Sequence, residues 1–351
     1  MSKFLLKFFF ILFPLALTAQ IMPPYSVYLI GDAGEDTIPG KALLMLKEEL
    51  LSHPNSAVIF LGDNIYPSGL KDNDKKSASH LESQLQILNK YKGSVYFIPG
   101  NHDWQAQGMQ GLKRLSNEEK YVETYLKDKT ISKNKNNSTF LPHNGLPGPE
   151  TVLLNEKLRL IIIDTQWFLH YYKKNKIRSK KHTKELFYSH LDSLLNQAKQ
   201  NGEQVIITTH HPMFTNGHHS ASKQPLRFLI NKTPLQIFGL MGLNRLLSQD
   251  LPQPRYKKMR NRMLGSFNQY DNIICASGHD HNLQCFKEGA NRYIVSGAGS
   301  KIKHFHKKKK FDAVFQDDTK TGFVKIQYAP DGSHITIVFR VGEKEKLIEG
   351  F

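Results

Sequence analysis

The chain is 351 residues long, enough for one large α/β domain or two smaller ones with a packed core. Its 48 basic and 31 acidic residues give a formal charge of +17, but the lysines are scattered rather than striped. That pattern describes a solvated basic surface that draws anions, and it argues against a dedicated polyanion site. Two cysteines, Cys275 and Cys285, are too few for a disulfide scaffold and too far apart for a thiolate metal cluster.

Met1-Ser2-Lys3-Phe4-Leu5-Leu6-Lys7 leads into an apolar run from Phe8 to Leu17 and the small-residue exit Thr18-Ala19. A basic start, a short apolar stretch and a small-residue end predict a secretory signal over residues 1–19 and an exported product, periplasmic or secreted in a bacterium. The run is short for a bilayer span. A domain is expected over 20–351, beginning with the strand Ser26–Ile30. A helix over Lys41–Leu51 follows, then the strand Ala57–Leu61, a helix over His80–Lys90 and the strand Val95–Ile98. Ser116-Asn117-Glu118-Glu119 has the form of a capping box and predicts a helix start there, running to about Lys127.

Pro142–Pro149 is a Pro/Gly-rich connection, followed by strands over Thr151–Leu154 and Leu158–Asp164, a helix over Thr183–Gln200 and the strand Gln204–Thr209. Residues 213–272 are the hardest to decode and are expected to form a lid or insertion. The end is strand-rich: Asn272–Ala276, Arg292–Val295, Gly322–Tyr328 and Ile335–Val341. Cys275 and Cys285 flank the segment Gly278–His281. They are free to pair in an exported protein or to stand as two buried thiols on neighbouring strands. Lys307–Lys310, the densest basic run, falls in a loop.

Five short segments carry the chemistry: Gly31-Asp32-Ala33-Gly34, Gly62-Asp63-Asn64-Ile65-Tyr66, Gly100-Asn101-His102-Asp103, His210-His211-Pro212 and Gly278-His279-Asp280-His281. Each sets a carboxylate, amide, phenol or imidazole beside a glycine or proline, where a predicted strand stops. Open α/β sheets place their sites at the carboxyl ends of strands. Mixed oxygen and nitrogen donors suit zinc, manganese or iron. One such segment means little, because glycine-aspartate turns and lone histidines are common. The ordered set of five points to a catalytic metal centre. Strand–helix alternation followed by a strand-rich tail predicts an α/β fold, a two-sheet β-sandwich flanked by helices, with the site at strand C-terminal ends.

These five segments, spanning Asp32 to His281, resemble the calcineurin-like metallophosphoesterase superfamily, and within it the purple acid phosphatase (tartrate-resistant) branch. Other branches open with Asp-x-His, whereas here Gly34 holds the histidine position and Tyr66 stands three residues after Asp63. The resemblance implies two metal ions. Asp32, Asp63, Tyr66 and His281 would hold Fe(III), and Asn101, His210 and His279, with Asp63 bridging, would hold Fe(II), Zn(II) or Mn(II). It further implies attack on a phosphomonoester by a metal-bound hydroxide. His102 would bind phosphate, and His219, or its neighbour His218, would protonate the leaving group, while His211 would pack behind the ligands. The expected partner is a phosphorylated small molecule rather than nucleic acid. The alternatives are a phosphodiesterase or nucleotidase of the same fold, or a non-catalytic protein that holds a polyanion.

Overall fold

A computed structural model describes residues 24–170, 180–221, 249–329 and 335–349. The predicted leader over 1–19 lies outside them. Thirteen strands in the described residues form two mixed sheets. In chain order they are β1 (Tyr25–Ile30), β2 (Ser56–Phe60), β3 (Ser94–Phe97), β4 (Glu150–Asn155), β5 (Leu158–Ile162), β6 (Gln204–Thr208) and β7 (Ile273–Ser277). They continue with β8 (Leu283–Glu288), β9 (Asn291–Ser296), β10 (Ala313–Asp317), β11 (Gly322–Tyr328), β12 (Ile335–Val341) and β13 (Lys344–Glu349). The first sheet runs β13-β12-β11-β1-β2-β3 and the second β10-β8-β9-β7-β6-β5-β4.

The period-2 alternation of strand side chains explains the layering. On β1, Val27 and Leu29 point into the core between the sheets, where they meet Leu160, Ile206, Ile274 and Ile294 of the second sheet. Tyr28 and Ile30 point the other way, onto helices α1 (Lys41–Ser52), α2 (Lys75–Leu85) and α3 (Gly111–Lys129). Ile161, Val205, Ile207 and Ile273 of the second sheet likewise face α5 (Lys180–Gln200) and α6 (Pro254–Phe267) on its outer side. The short α4 (Thr165–Leu169) is capped by Asp164, whose carboxylate accepts from the Trp167 N–H at 3.1 Å. Strands buried on both faces read as continuous apolar runs, which is why β1, β2, β5 and β6 are visible from sequence.

Three expectations need correction. α3 begins at Gly111, so the Ser116–Glu119 box lies inside the helix. Glu118 is drawn inward instead, where it accepts from Asn64 Nδ2 at 3.0 Å. α2 begins five residues earlier than His80, because the Asp74 side chain caps it by accepting from the Lys76 N–H. Cys275 and Cys285 are both free and do not lie on adjacent strands, since β9 runs between β7 and β8. Cys275 faces α5 and α6 while Cys285 faces the inter-sheet core, so a bond would have to cross a sheet. Within 213–272, α6 packs Tyr256, Met259, Met263 and Phe267 into the outer core of the second sheet. Residues 222–248, where the rest of the expected lid falls, are outside the described residues. Among the described residues no helix is long and apolar enough to cross a membrane.

Candidate metal centre

The parallel strands β1, β2 and β3 of the first sheet end at Asp32, Asp63 and Asn101-His102. β6 and β7 of the second sheet, also parallel, end at His210 and at His279 and His281. The sheets are tied together at this end. Gly31 N–H donates to Ser296 O at 2.7 Å, and His210 Nδ1 donates to Leu61 O at 2.8 Å. All seven predicted donors therefore meet in one buried place, four from one sheet and three from the other. Asp32, Asp63 and His279 have φ values of 57°, 54° and 69°. That backbone strain aims each donor inward and persists because the packed sheets hold it.

The donors fall into two groups that share Asp63. In the first, the Tyr66 hydroxyl donates to Asp32 Oδ1 at 2.9 Å and to Asp63 Oδ2 at 3.0 Å. His281 Nδ1 is 3.8 Å from Asp32 Oδ1 and is buried without a hydrogen-bond partner. In the second group, Asn101 Oδ1 lies 2.9 Å from both His210 Nε2 and His279 Nδ1. Asp63 Oδ1 faces the same place, 3.4 Å from His210 Nε2. Backbone carbonyls only accept, so Leu61 O places a proton on His210 Nδ1 and Gln249 O, at 3.2 Å, places one on His279 Nε2. With a cation in place of a second ring proton, His210 Nε2 and His279 Nδ1 would each turn a lone pair toward it beside the Asn101 amide oxygen, His210 also beside the Asp63 carboxylate. Lone pairs converging in a buried site call for a cation between them. Asp32, Asp63 and His210 alone bring three ligand atoms within 4.8 Å of one another.

Glycine 34 is closed to any side chain. A Cβ there would sit 2.2 Å from the carbonyl carbon and oxygen of Asn64. The turn that fills this space is the one that delivers Tyr66, whose N–H donates to Gly34 O at 3.1 Å. The absence of a histidine at 34 and the presence of Tyr66 are one packing arrangement.

A calcineurin-like phosphoesterase family model matches residues 25–239, more than half of the chain. The chain belongs to the calcineurin-like phosphoesterase family. The match stops short of His279 and His281, so their place beside His210 comes from the fold. Three solved structures share that fold. GAP50, described as the anchor in the inner membrane complex of Plasmodium, is 15% identical with a TM-score of 0.59, over 93% of this chain and 89% of that one. A dimetal phosphatase from Danio rerio is 12% identical with a TM-score of 0.56, over 94% of this chain and 100% of that one. PhoD is 10% identical with a TM-score of 0.54, over 94% and 69%. No curated protein sequence matches the chain.

In this phosphoesterase the surrounding residues orient the donors. His102 Nδ1 donates to Pro67 O at 2.6 Å, which leaves Nε2 facing Asp63 Oδ2 at 3.9 Å. Its ring packs on Tyr66 and its side chain is 23% exposed, enough for a substrate to reach. Of the pair 218–219, it is the His219 ring that stacks on His279, with centroids 4.1 Å apart. His219 Nδ1 meets Asp250 Oδ1 at 2.9 Å, and its N–H donates to Asp280 Oδ1 at 3.1 Å. His211 bonds Thr165 Oγ1 through Nδ1 and packs behind His279, as expected of a supporting residue.

Four contributors were missed from sequence. Asp103 gathers the N–H groups of Gly100, Asn64 and Ile65 at 2.7–3.1 Å and so fixes two ligand loops. Its position inside Gly-Asn-His-Asp was the available signal, as was that of Asp280, which accepts from Thr215 Oγ1 at 2.6 Å. Asp250 and Lys301 gave none. Lys301 Nζ lies 3.4 Å from the Tyr66 ring centroid and pairs with Glu35 at 2.6 Å.

Charge follows the geometry. Burial, helped by the Asp63 charge, pushes the Asp32 carboxyl up to about 7. Burial also works to raise Asp63, but the His210 and His102 imidazoles beside it prevail and hold it below the usual carboxylate range. Burial favours a neutral His210, yet Asp63 and Asp32 outweigh it and push the imidazole up to about 10. Burial, then the charges of Lys301 and Lys303, hold His281 down at about 2, where the ring keeps a free lone pair. A cation held here would take over the work that protons do in its absence.

Proposed function

We propose that this phosphoesterase is an exported phosphatase that cleaves phosphomonoesters, with Asp32, Asp63, Tyr66 and His281 holding one metal ion and Asn101, His210 and His279, sharing Asp63, holding the other. The observation that carries the reading is the division of seven buried donors into two sets around the two oxygens of Asp63. Two metal ions in such sets would supply Lewis acidity toward phosphoryl oxygens and a more acidic water. The chain's own groups do the rest. His102 offers Nε2 to the phosphate, its other nitrogen held by Pro67 O. His219, oriented by Asp250, holds a proton for the leaving alcohol. The strained turns at Asp32, Asp63 and His279 keep the donors from relaxing apart when the ester enters.

Phenolate and carboxylate are hard, anionic donors suited to Fe(III), whereas amide and imidazole suit a divalent Fe, Zn or Mn ion. The purple acid phosphatase branch rests on Tyr66 and on the filled space at Gly34. Export rests on the basic, apolar and small-residue order of residues 1–19.

The test is optical as well as kinetic. Iron-loaded, oxidised protein should be pink to purple, hydrolyse p-nitrophenyl phosphate, and lose its colour in Tyr66→Phe with activity partly retained. A colourless wild type, fully active with two zinc or manganese ions, would remove the branch assignment and leave the phosphatase. Metal-loaded protein inert toward aryl phosphates would remove the phosphatase reading in favour of a binding protein.

A further inference from the structure

One segment beside the centre, apart from its Lys301 and Lys303, has no part in the chemistry above. Residues 300–311, between β9 and β10, read Ser-Lys-Ile-Lys-His-Phe-His-Lys-Lys-Lys-Lys-Phe, with six lysines, two histidines and no carboxylate. A lysine run in a loop is ordinarily a solvated surface. This one differs in how its backbone is held. Ser300 Oγ donates to Asp32 O at 2.5 Å, and Lys303 N–H donates to His281 O at 2.8 Å. His306 N–H donates to Asn216 O at 2.9 Å. Lys310 and Phe311 N–H donate to Asn216 Oδ1 at 2.9 and 3.0 Å, and Asn216 Nδ2 donates back to Phe311 O at 2.8 Å.

The strap is therefore tied at 300, 303, 306 and 310–311 to the loops that carry Asp32, His281 and His219. Its lysine heads point outward. Lys303 and Lys307–Lys310 are exposed, and Lys301 alone among the strap's lysines leans in over Tyr66. Among the described residues, Lys307, Lys308 and Lys309 have no ion-pair partner. The positive face continues onto α6, whose Arg260 packs on Phe214 and Phe311. Holding like charges side by side costs energy that an anionic ligand would relieve. The strap's aromatic rings, Phe305 and Phe311, are half-buried, and Phe311 packs against Phe214 and Phe286. With both phenyl rings half-buried and the lysine heads exposed, the strap presents charge more than stacking surface, which favours phosphates over the bases of single-stranded nucleic acid.

We propose that this strap is an anion subsite of the catalytic centre, and that the substrate is a small molecule with several phosphate groups, one cleaved at the centre while the others lie along Lys307–Lys309. The proposal deepens the phosphatase reading and rests on it. The strap would raise the capture rate of such substrates, and salt would weaken the effect.

The test uses the full, metal-loaded chain and the triple variant Lys307→Gln, Lys308→Gln, Lys309→Gln, which leaves Lys301 and the Asn216 ties in place. Substrates are p-nitrophenyl phosphate, fructose 1,6-bisphosphate, inositol hexakisphosphate and a 5′-phosphorylated oligonucleotide, with metal content checked after each assay. Equilibrium binding of inositol hexakisphosphate is measured in parallel. At low salt the variant should lose about tenfold or more in kcat/KM on the two multiply phosphorylated compounds, through KM. It should stay within about twofold on p-nitrophenyl phosphate, and in wild type the preference should fade as salt rises. Equal effects on all substrates, or none, would overturn the subsite and leave the phosphatase standing. A loss confined to the oligonucleotide would overturn it in favour of a nucleic-acid groove. Binding of inositol hexakisphosphate through these lysines, with no turnover of any ester by wild type, would keep the subsite and remove the phosphatase.

Discussion

His219 is held at three points: Asp250 on its Nδ1, Asp280 on its backbone N–H and the His279 ring beneath it. His102 is also held at three, by Pro67 O, by the Tyr66 ring and through its backbone N–H, which donates to Asp63 Oδ1 at 2.8 Å. Neither is among the seven donors, so alanine at either position should leave metal content intact. The loss should fall on turnover, roughly 10²–10⁴-fold for a proton donor. His219→Ala should hurt poor leaving groups more than good ones, and Asp250→Asn should produce a milder form of the same defect by freeing the ring. Leaving-group dependence of kcat checks this, and a crippled His218→Ala beside a normal His219→Ala would reverse the assignment. The convergence of the seven proposed donors was legible in the sequence, because they stand in short segments that follow apolar runs and carry a glycine or proline. Asp250 was not. It lies 31 residues from His219 in the chain, in a stretch without periodicity, and only the fold brings the two together.

Elements with one dominant local signal were readable, and elements set by tertiary contacts were not. α1 and the doubly buried strands β1, β2 and β6 fall within a residue or two of expectation. β8, β10 and β13 went unseen, since β8 ends in exposed residues and the other two lie at sheet edges with few buried side chains. α3 shows why a cap signal misleads. Ser-x-x-Glu looks like a helix start, but here the glutamate is claimed by Asn64, the residue after Asp63. Burial, and then the Asp103 carboxylate, raise Glu118 well above the usual range, which favours the protonated acid. Glu118→Gln should thus be nearly neutral for stability and activity. Glu118→Ala should cost about 2–4 kcal/mol, because it opens a cavity and strips Asn64 of a partner. Urea denaturation of the two variants checks this, and a Gln variant as unstable as the Ala variant would show that Glu118 is ionised.

At the scale of the molecule, the described residues form two sheets whose carboxyl ends meet at one site, so metal should brace the sandwich as well as arm it. In metal-free protein, Asp32 costs stability as pH climbs from 3.8 to about 7, because its folded-state carboxyl holds the proton more tightly. The contribution of His210 is fully present below its ordinary 6.5 and is lost as pH rises toward about 10. Asp63, held low, already contributes above 3.8 and does not vary across that window. Metal must displace the protons on Asp32 and His210, so its binding strengthens with pH. The gain in Tm on adding zinc or manganese should therefore grow from pH 5 to pH 8, with protons released on binding in weakly buffered solution. A gain independent of pH would show that these groups are not displaced.

The most direct test of the central claim is a titration of metal-stripped protein with zinc or manganese, reading bound metal and p-nitrophenyl phosphate turnover together. Two equivalents should bind, activity should appear only as the second fills, and Asp63→Ala should lose both ions and nearly all turnover. A stoichiometry of one, full activity in stripped protein, or an Asp63→Ala variant with normal metal content and kcat would contradict it.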